Sequence, residues 1–121
     1  MLLIVAGCAV HKKSHLSISR DYQEMIAKFS DLPDAPFQAK LETIICSSTD
    51  HNQVQIFYTC PMSRFDLLLF YEQQMERLGW QLYAQSEVQD CLLHYNKPDR
   101  ICSILLTGDK LIIYLGTIKG A

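Results

Sequence analysis

Val54, Ile56, Tyr58 and Cys60 alternate with Gln55, Phe57 and Thr59, a period of two that predicts a strand with one buried face and one partly apolar face. A similar run from Phe37 to Cys46 precedes it, and the polar cluster Ser47 to Asn52 between them reads as a turn, so the two should pair as a hairpin. The period then changes. Leu67, Leu68, Phe70, Tyr71, Met75 and Leu78 fall at helical spacing, with Glu72, Gln73, Glu76 and Arg77 on the wet side. Ser63 can cap this helix, Asp66 complements its positive end, and Gly79 can end it in a left-handed conformation. Beyond it, Trp80, Leu82 and Ala84 alternate with Gln81, Tyr83 and Gln85. Three more strands are expected at Asp90 to Asn96, Ile101 to Leu106 and Leu111 to Thr117, joined by turns at Lys97 to Arg100 and Thr107 to Asp109.

Upstream, Tyr22, Met25, Ile26 and Phe29 predict a short amphipathic helix over residues 19–30, with Ser17 or Ser19 as its cap. The segment Asp31 to Pro36 stops it, because each proline lacks an N–H and biases the residue before it away from helix. Residues 8–18 are polar and aperiodic and read as a tether, so the globular part is expected over 37–118. The order α-β-β-α-β-β-β-β predicts an α+β domain: an antiparallel sheet of five to six strands with the Ser63 to Leu78 helix laid across one face. Several strand orders satisfy this pattern.

The first ten residues carry the strongest signal about location. Val5-Ala6-Gly7-Cys8, preceded by Leu2-Leu3-Ile4 and followed by a polar stretch, resembles the lipobox of bacterial lipoprotein precursors. The resemblance implies that residues 1–7 are a truncated signal peptide, that Val5, Ala6 and Gly7 are recognised at the cleavage site, and that Cys8 becomes the lipidated N-terminus. Ala9 is not the aspartate that retains lipoproteins at the inner membrane in well-studied enterobacterial systems, so the implied site is the outer membrane, facing the periplasm. Met1 opens directly into the apolar run without a positive n-region, so either translation starts upstream or these residues are an ordinary N-terminal strand. The run is well short of the roughly 20 residues of a transmembrane helix.

Composition narrows the remaining classes. The chain has 121 residues, enough for one domain with its own core. Its 11 basic and 13 acidic side chains form no basic stripe, so nucleic-acid binding has no electrostatic footprint. Lys12, Lys13 and Arg20 would add modest attraction to anionic headgroups near the anchor.

Besides Cys8 there are Cys46, Cys60, Cys91 and Cys102. With hairpins turning near Asp50 and Pro98, Cys46 should face Gln55, Cys60 should face Leu41, Cys91 should face Leu105 and Cys102 should face His94. The first pair is then offset by roughly 17 Å, against the roughly 7 Å that a bridge allows, and the second pair is also out of reach. Buried free thiols are expected. Cys91 and His94 are three apart, which on a strand puts them on opposite faces, and no closely spaced ligand pair exists, so neither a metal site nor a cofactor is expected. A Cys102 nucleophile with His94 as base would lie in apolar runs where a thiol is inert packing. Asp31 and Asp34, beside prolines, and Glu72 and Glu76, on the helix, read as exposed carboxylates rather than catalytic pairs.

Phe70-Tyr71, Met75, Gly79-Trp80, Leu93-His94-Tyr95 and Lys97-Pro98 resemble a loose group of small bacterial lipoproteins with uncharacterised domains. The resemblance implies compartment and fold class, and no catalytic motif. The expectation is a binding or structural module of the cell envelope without catalysis, held to the membrane through lipidated Cys8 and acting on another envelope protein. Two alternatives stand beside it: an intracellular interaction domain whose first residues form a strand, and a small-ligand carrier with a pocket lined by Phe70, Tyr71 and Trp80.

Overall fold

The computed structural model describes residues 31–46 and 53–117. The anchor motif at Val5 to Cys8, the tether and the first expected helix lie outside the described residues, as does the turn between the first two strands. Six strands and one helix follow in order: β1 (Lys40–Cys46), β2 (Gln53–Thr59), α1 (Arg64–Arg77), β3 (Gln81–Ser86), β4 (Cys91–Lys97), β5 (Arg100–Thr107) and β6 (Lys110–Thr117). They build one α+β unit with a single sheet in the spatial order β1-β2-β6-β5-β4-β3, every neighbouring pair antiparallel.

The helix explains that order. It carries the chain from β2 to the far edge of the sheet, and a four-strand meander then returns until β6 closes against β2. At its start, the Ser63 hydroxyl accepts from the Asp66 N–H at 3.1 Å, with Asp66 itself in the first turn. At its end, Gly79 adopts φ 86°, the Gly79 N–H donates to Glu76 O and the Trp80 N–H to Met75 O, which satisfies two otherwise orphaned carbonyls. Two-residue turns, Pro98-Asp99 and Gly108-Asp109, close the last two hairpins, with Gly108 in the left-handed region at φ 61°.

One face of the sheet carries the core. Val54, Ile56 and Tyr58 of β2, Cys91, Leu93 and Tyr95 of β4, Cys102, Ile104 and Leu106 of β5, and Leu111, Ile113 and Leu115 of β6 are buried with Leu67, Tyr71 and Met75 of α1. The strand alternation expected for β2 is met. In β3 it is not: all six residues are exposed, and a register break between Leu82 and Ala84 leaves Leu82 47% exposed. An edge strand pairs on one side only, and the bulge turns its side chains out of register with the core.

The folded unit also begins earlier than Phe37. Leu32 and Pro33 are buried, whereas Phe37 is 92% exposed. Residues 31–39 form a strap along the core face. The Tyr71 hydroxyl donates to Asp34 O at 2.9 Å and the Asp34 N–H to Gln74 Oε1 at 3.0 Å, so the strap is fixed to α1. Asp31 sits beside the β4–β5 turn, and Lys40 pairs with Thr59 at the opposite end of the sheet.

Candidate functional site

The second face of the sheet, opposite α1, carries no further element among the described residues. Register places its side chains in rows that cross the strands. One row runs Leu92, Leu105, Ile112, Phe57, Thr43. The next runs Ala84, His94, Ser103, Tyr114, Gln55, Ile45, and a third runs Gln81, Asn96, Ile101, Gly116, Gln53. Most side chains on the four inner strands of this face are half-buried. None of these positions is Asp, Glu, Lys or Arg. At one rim Glu42 and Lys110 lie 3.4 Å apart, Glu42 also meets the Thr59 hydroxyl, and Lys40 pairs with Thr59 in the same row.

Polar groups on this face are arranged around His94. Its Nδ1 lies 2.8 Å from Ser103 Oγ, and the Tyr83 ring lies 5.8 Å from the imidazole, centroid to centroid. Tyr114 lies over Gly116, where a Cβ would come within 2.6 Å of the phenol oxygen. Burial pushes the Tyr114 hydroxyl above its ordinary range. Gln55 Oε1 is buried without a hydrogen-bond partner among the described residues. The face is therefore a wide, weakly polar, uncharged surface with one His–Ser pair near its middle.

A second cluster joins the strap to the β4–β5 hairpin. Asp31, 7% exposed, accepts from Lys97 Nζ at 2.8 Å and from Arg100 Nη1 at 2.7 Å, with Arg100 Nη2 also on the carboxylate. Trp80 Nε1 donates to Asp31 O at 2.9 Å, and both cations lie over the indole. An open groove of about 390 Å³ beside it is lined by Gly79, Gln81, Asn96, Lys97 and Pro98. The expectation that Asp31 is a solvated carboxylate is thus overturned: it is a buried acid shared by two cations, brought together by a separation in sequence that no local pattern reveals.

The strand registers correct the expected cysteine geometry by about one residue. Cys46 pairs with Val54, Leu41 with Tyr58, Cys91 with Leu106 and Cys102 with Tyr95, because the second turn consists of Pro98-Asp99 with Lys97 opposite Arg100. One residue of slip changes the face. Cys102 therefore points into the core while His94 points to the open face, and the two cannot act as nucleophile and base. Cys60, Cys91 and Cys102 are free and buried. Burial pushes each thiol above its ordinary range, most strongly at Cys102.

Of the residues suggested for a pocket, Tyr71 and Trp80 are buried in the core and Phe70 packs against Tyr71 edge to face at 4.9 Å. The groove near Lys97 is lined by none of the three. Cys8, Val5, Ala6 and Gly7 lie outside the described residues. No group of three potential metal ligands occurs among the described residues, and no helix among them is long and apolar enough to cross a membrane. The open face itself had a sequence signal: β6 reads Leu-Ile-Ile-Tyr-Leu without alternation, as a strand apolar on both sides does. No family model, curated protein or solved structure matches this chain.

Proposed function

We propose that this chain is a lipid-anchored module of the bacterial cell envelope that works by binding, not catalysis, and that its open sheet face is the recognition surface. The observation that carries this reading is the set of three uncharged rows across the sheet, with Leu92, Leu105, Ile112 and Phe57 half-buried side by side. Contiguous apolar area of this kind on a small domain marks an interaction site. Edge pairing is disfavoured as the binding mode, since both outer strands carry a register break, at Leu41/Thr43 in β1 and Leu82/Ala84 in β3.

The location rests on Val5-Ala6-Gly7-Cys8. Lipidation of Cys8 would hold the domain at the outer membrane, facing the periplasm, with residues 8–18 as the tether. A tether of this kind raises local concentration, so the face needs only modest affinity for its partner.

The gene expressed with its native upstream region, beside a Cys8→Ser variant, tests the anchor by intact mass of the membrane-fraction protein. A species starting at Cys8 with added acyl mass, lost in the variant, supports it; an unmodified chain starting at Met1 overturns it. A photo-crosslinking residue at Ile112 tests the face against one at Glu76 on the exposed side of α1. Adducts from 112 alone are expected, and adducts from neither or equally from both reject the face as a binding surface.

A further inference from the structure

We infer that the occupant of the open face is a second copy of this chain, so that two sheets pack face to face about a two-fold axis. The inference rests on the reading of that face as a binding surface and names its partner.

Three observations point to self-association. The first is charge: the three rows hold no ionisable side chain other than His94 and Tyr114, so the face meets its own image without like-charge repulsion. It offers no countercharge to a strongly charged partner or to lipid headgroups. The second is area. Six strands about 4.8 Å apart and seven residues at about 3.3 Å each outline roughly 600 Å² per copy. Two such faces remove about 1,200 Å² from water, the lower end of a stable specific interface. The third is polar satisfaction. His94 Nδ1 and Ser103 Oγ already pair with each other at 2.8 Å, so covering the face strands neither of these two atoms.

The arrangement has a defined centre. β6 and β5 are the two middle strands, and Leu105 pairs with Ile112 across them. We place the two-fold axis at this apolar pair, one row from the His94–Ser103 pair at the middle of the face, so each Leu105 lies close to the other copy's Leu105 and Ile112. Facing sheets stand about 10 Å apart with strands inclined by about 30°, which leaves room for one interdigitated layer of Leu, Ile and Phe side chains.

Sedimentation equilibrium on the full chain carrying Cys8→Ser, which removes any contribution of acyl chains, tests the pairing. Expected is a reversible dimer. Leu105→Lys and Leu105→Glu each weaken it by roughly a hundredfold, because each sets two like charges together at the centre. Mixing the two variants in equal amounts restores the dimer, a rescue that only a residue near its own symmetry mate produces. Glu76→Lys, on the exposed side of α1, leaves the dimer unchanged. A half-exposed leucine replaced by lysine keeps its stem on the sheet and its ammonium in water, so the fold is expected to be retained, which circular dichroism checks.

A wild-type monomer at all concentrations overturns the proposal, and so does a dimer that persists in both Leu105 variants. Should the Leu105 variants fail to fold, crosslinking from Ile112 decides alone: an adduct of twice the chain mass supports the pair. Adducts only with other proteins overturn the pair while sparing the open face as a binding surface, and no adduct from Ile112 overturns both readings.

Discussion

Asp31 and Arg100 lie sixty-nine positions apart in the chain, yet Arg100 Nη1 donates to Asp31 Oδ1 at 2.7 Å. The carboxylate side chain is 9% exposed, while Lys97 and Arg100 remain 19% and 23% exposed, so the acid depends on the pair more than either cation does. Asp31→Ala removes the shared acceptor and loosens the strap from the β4–β5 hairpin. A loss of about 2 kcal/mol is expected in urea unfolding, below the value for a fully buried pair because the freed cations reach water. Lys97→Ala leaves Arg100 in place and should lower stability by less than 1 kcal/mol.

The two ends of α1 make separate contributions. Ser63→Ala deletes the acceptor for the Asp66 N–H and should reduce stability by about 1 kcal/mol. Gly79→Ala forces a side chain into φ 86°, with a similar reduction of about 1 kcal/mol. The sites lie at opposite ends of a 14-residue helix, so the double variant should show the sum. A much larger loss in the double variant, read from its unfolding midpoint, would mean that the ends are coupled.

Gly116 and Tyr114 form a packing pair on the open face. Alanine at 116 would place its Cβ 2.6 Å from the phenol oxygen and 3.0 Å from the carbon that bears it. The ring must swing aside, and Gly116→Ala should lower stability by about 1–2 kcal/mol. In a Tyr114→Ala background the same substitution should have almost no effect. Equal losses in both backgrounds, from thermal unfolding of the four proteins, would place the cause in the backbone instead.

Alkaline pH should unfold the domain through its buried thiols. Burial raises Cys60, Cys91 and Cys102 above the ordinary 9.0, and Tyr95 and Tyr114 above 10.0. A raised value keeps the proton on the folded chain after the unfolded chain has lost it. Stability is therefore full below about pH 9 and falls as pH rises beyond it, by up to about 1.4 kcal/mol per pH unit for each such group. Cys102→Ala should start from a lower melting temperature and decline less steeply above pH 9. An identical alkaline slope in wild type and variant would exclude Cys102 as a contributor.

Much of this fold is legible in the residues. The period of two in β2, the helical spacing from Leu67 to Leu78 and the Ser63 and Gly79 ends are local properties, and each element falls where its pattern predicts. Strand order and register were less accessible. They depend on where turns close, and taking the second turn one position out of phase assigns Cys102 to His94 instead of Tyr95. Asp31 was misread for a related reason: a proline-rich segment resembles a linker until Lys97, Arg100 and Trp80 arrive from another part of the chain. The open face lay between these extremes. The unbroken apolar run of β6 carried its signal, but only the position of α1 shows which side is left open.

The strap has a mechanical consequence. Tension entering from residue 30 reaches Asp31 first, beside the β4–β5 turn, and β1 begins at Lys40 at the far end of the sheet. Load is taken up by the Asp31 ion pairs and the Asp34 hydrogen bonds to α1 before any strand is peeled from its neighbour. A pull directed along the strap meets these attachments in succession, so the outermost strand is shielded while they hold.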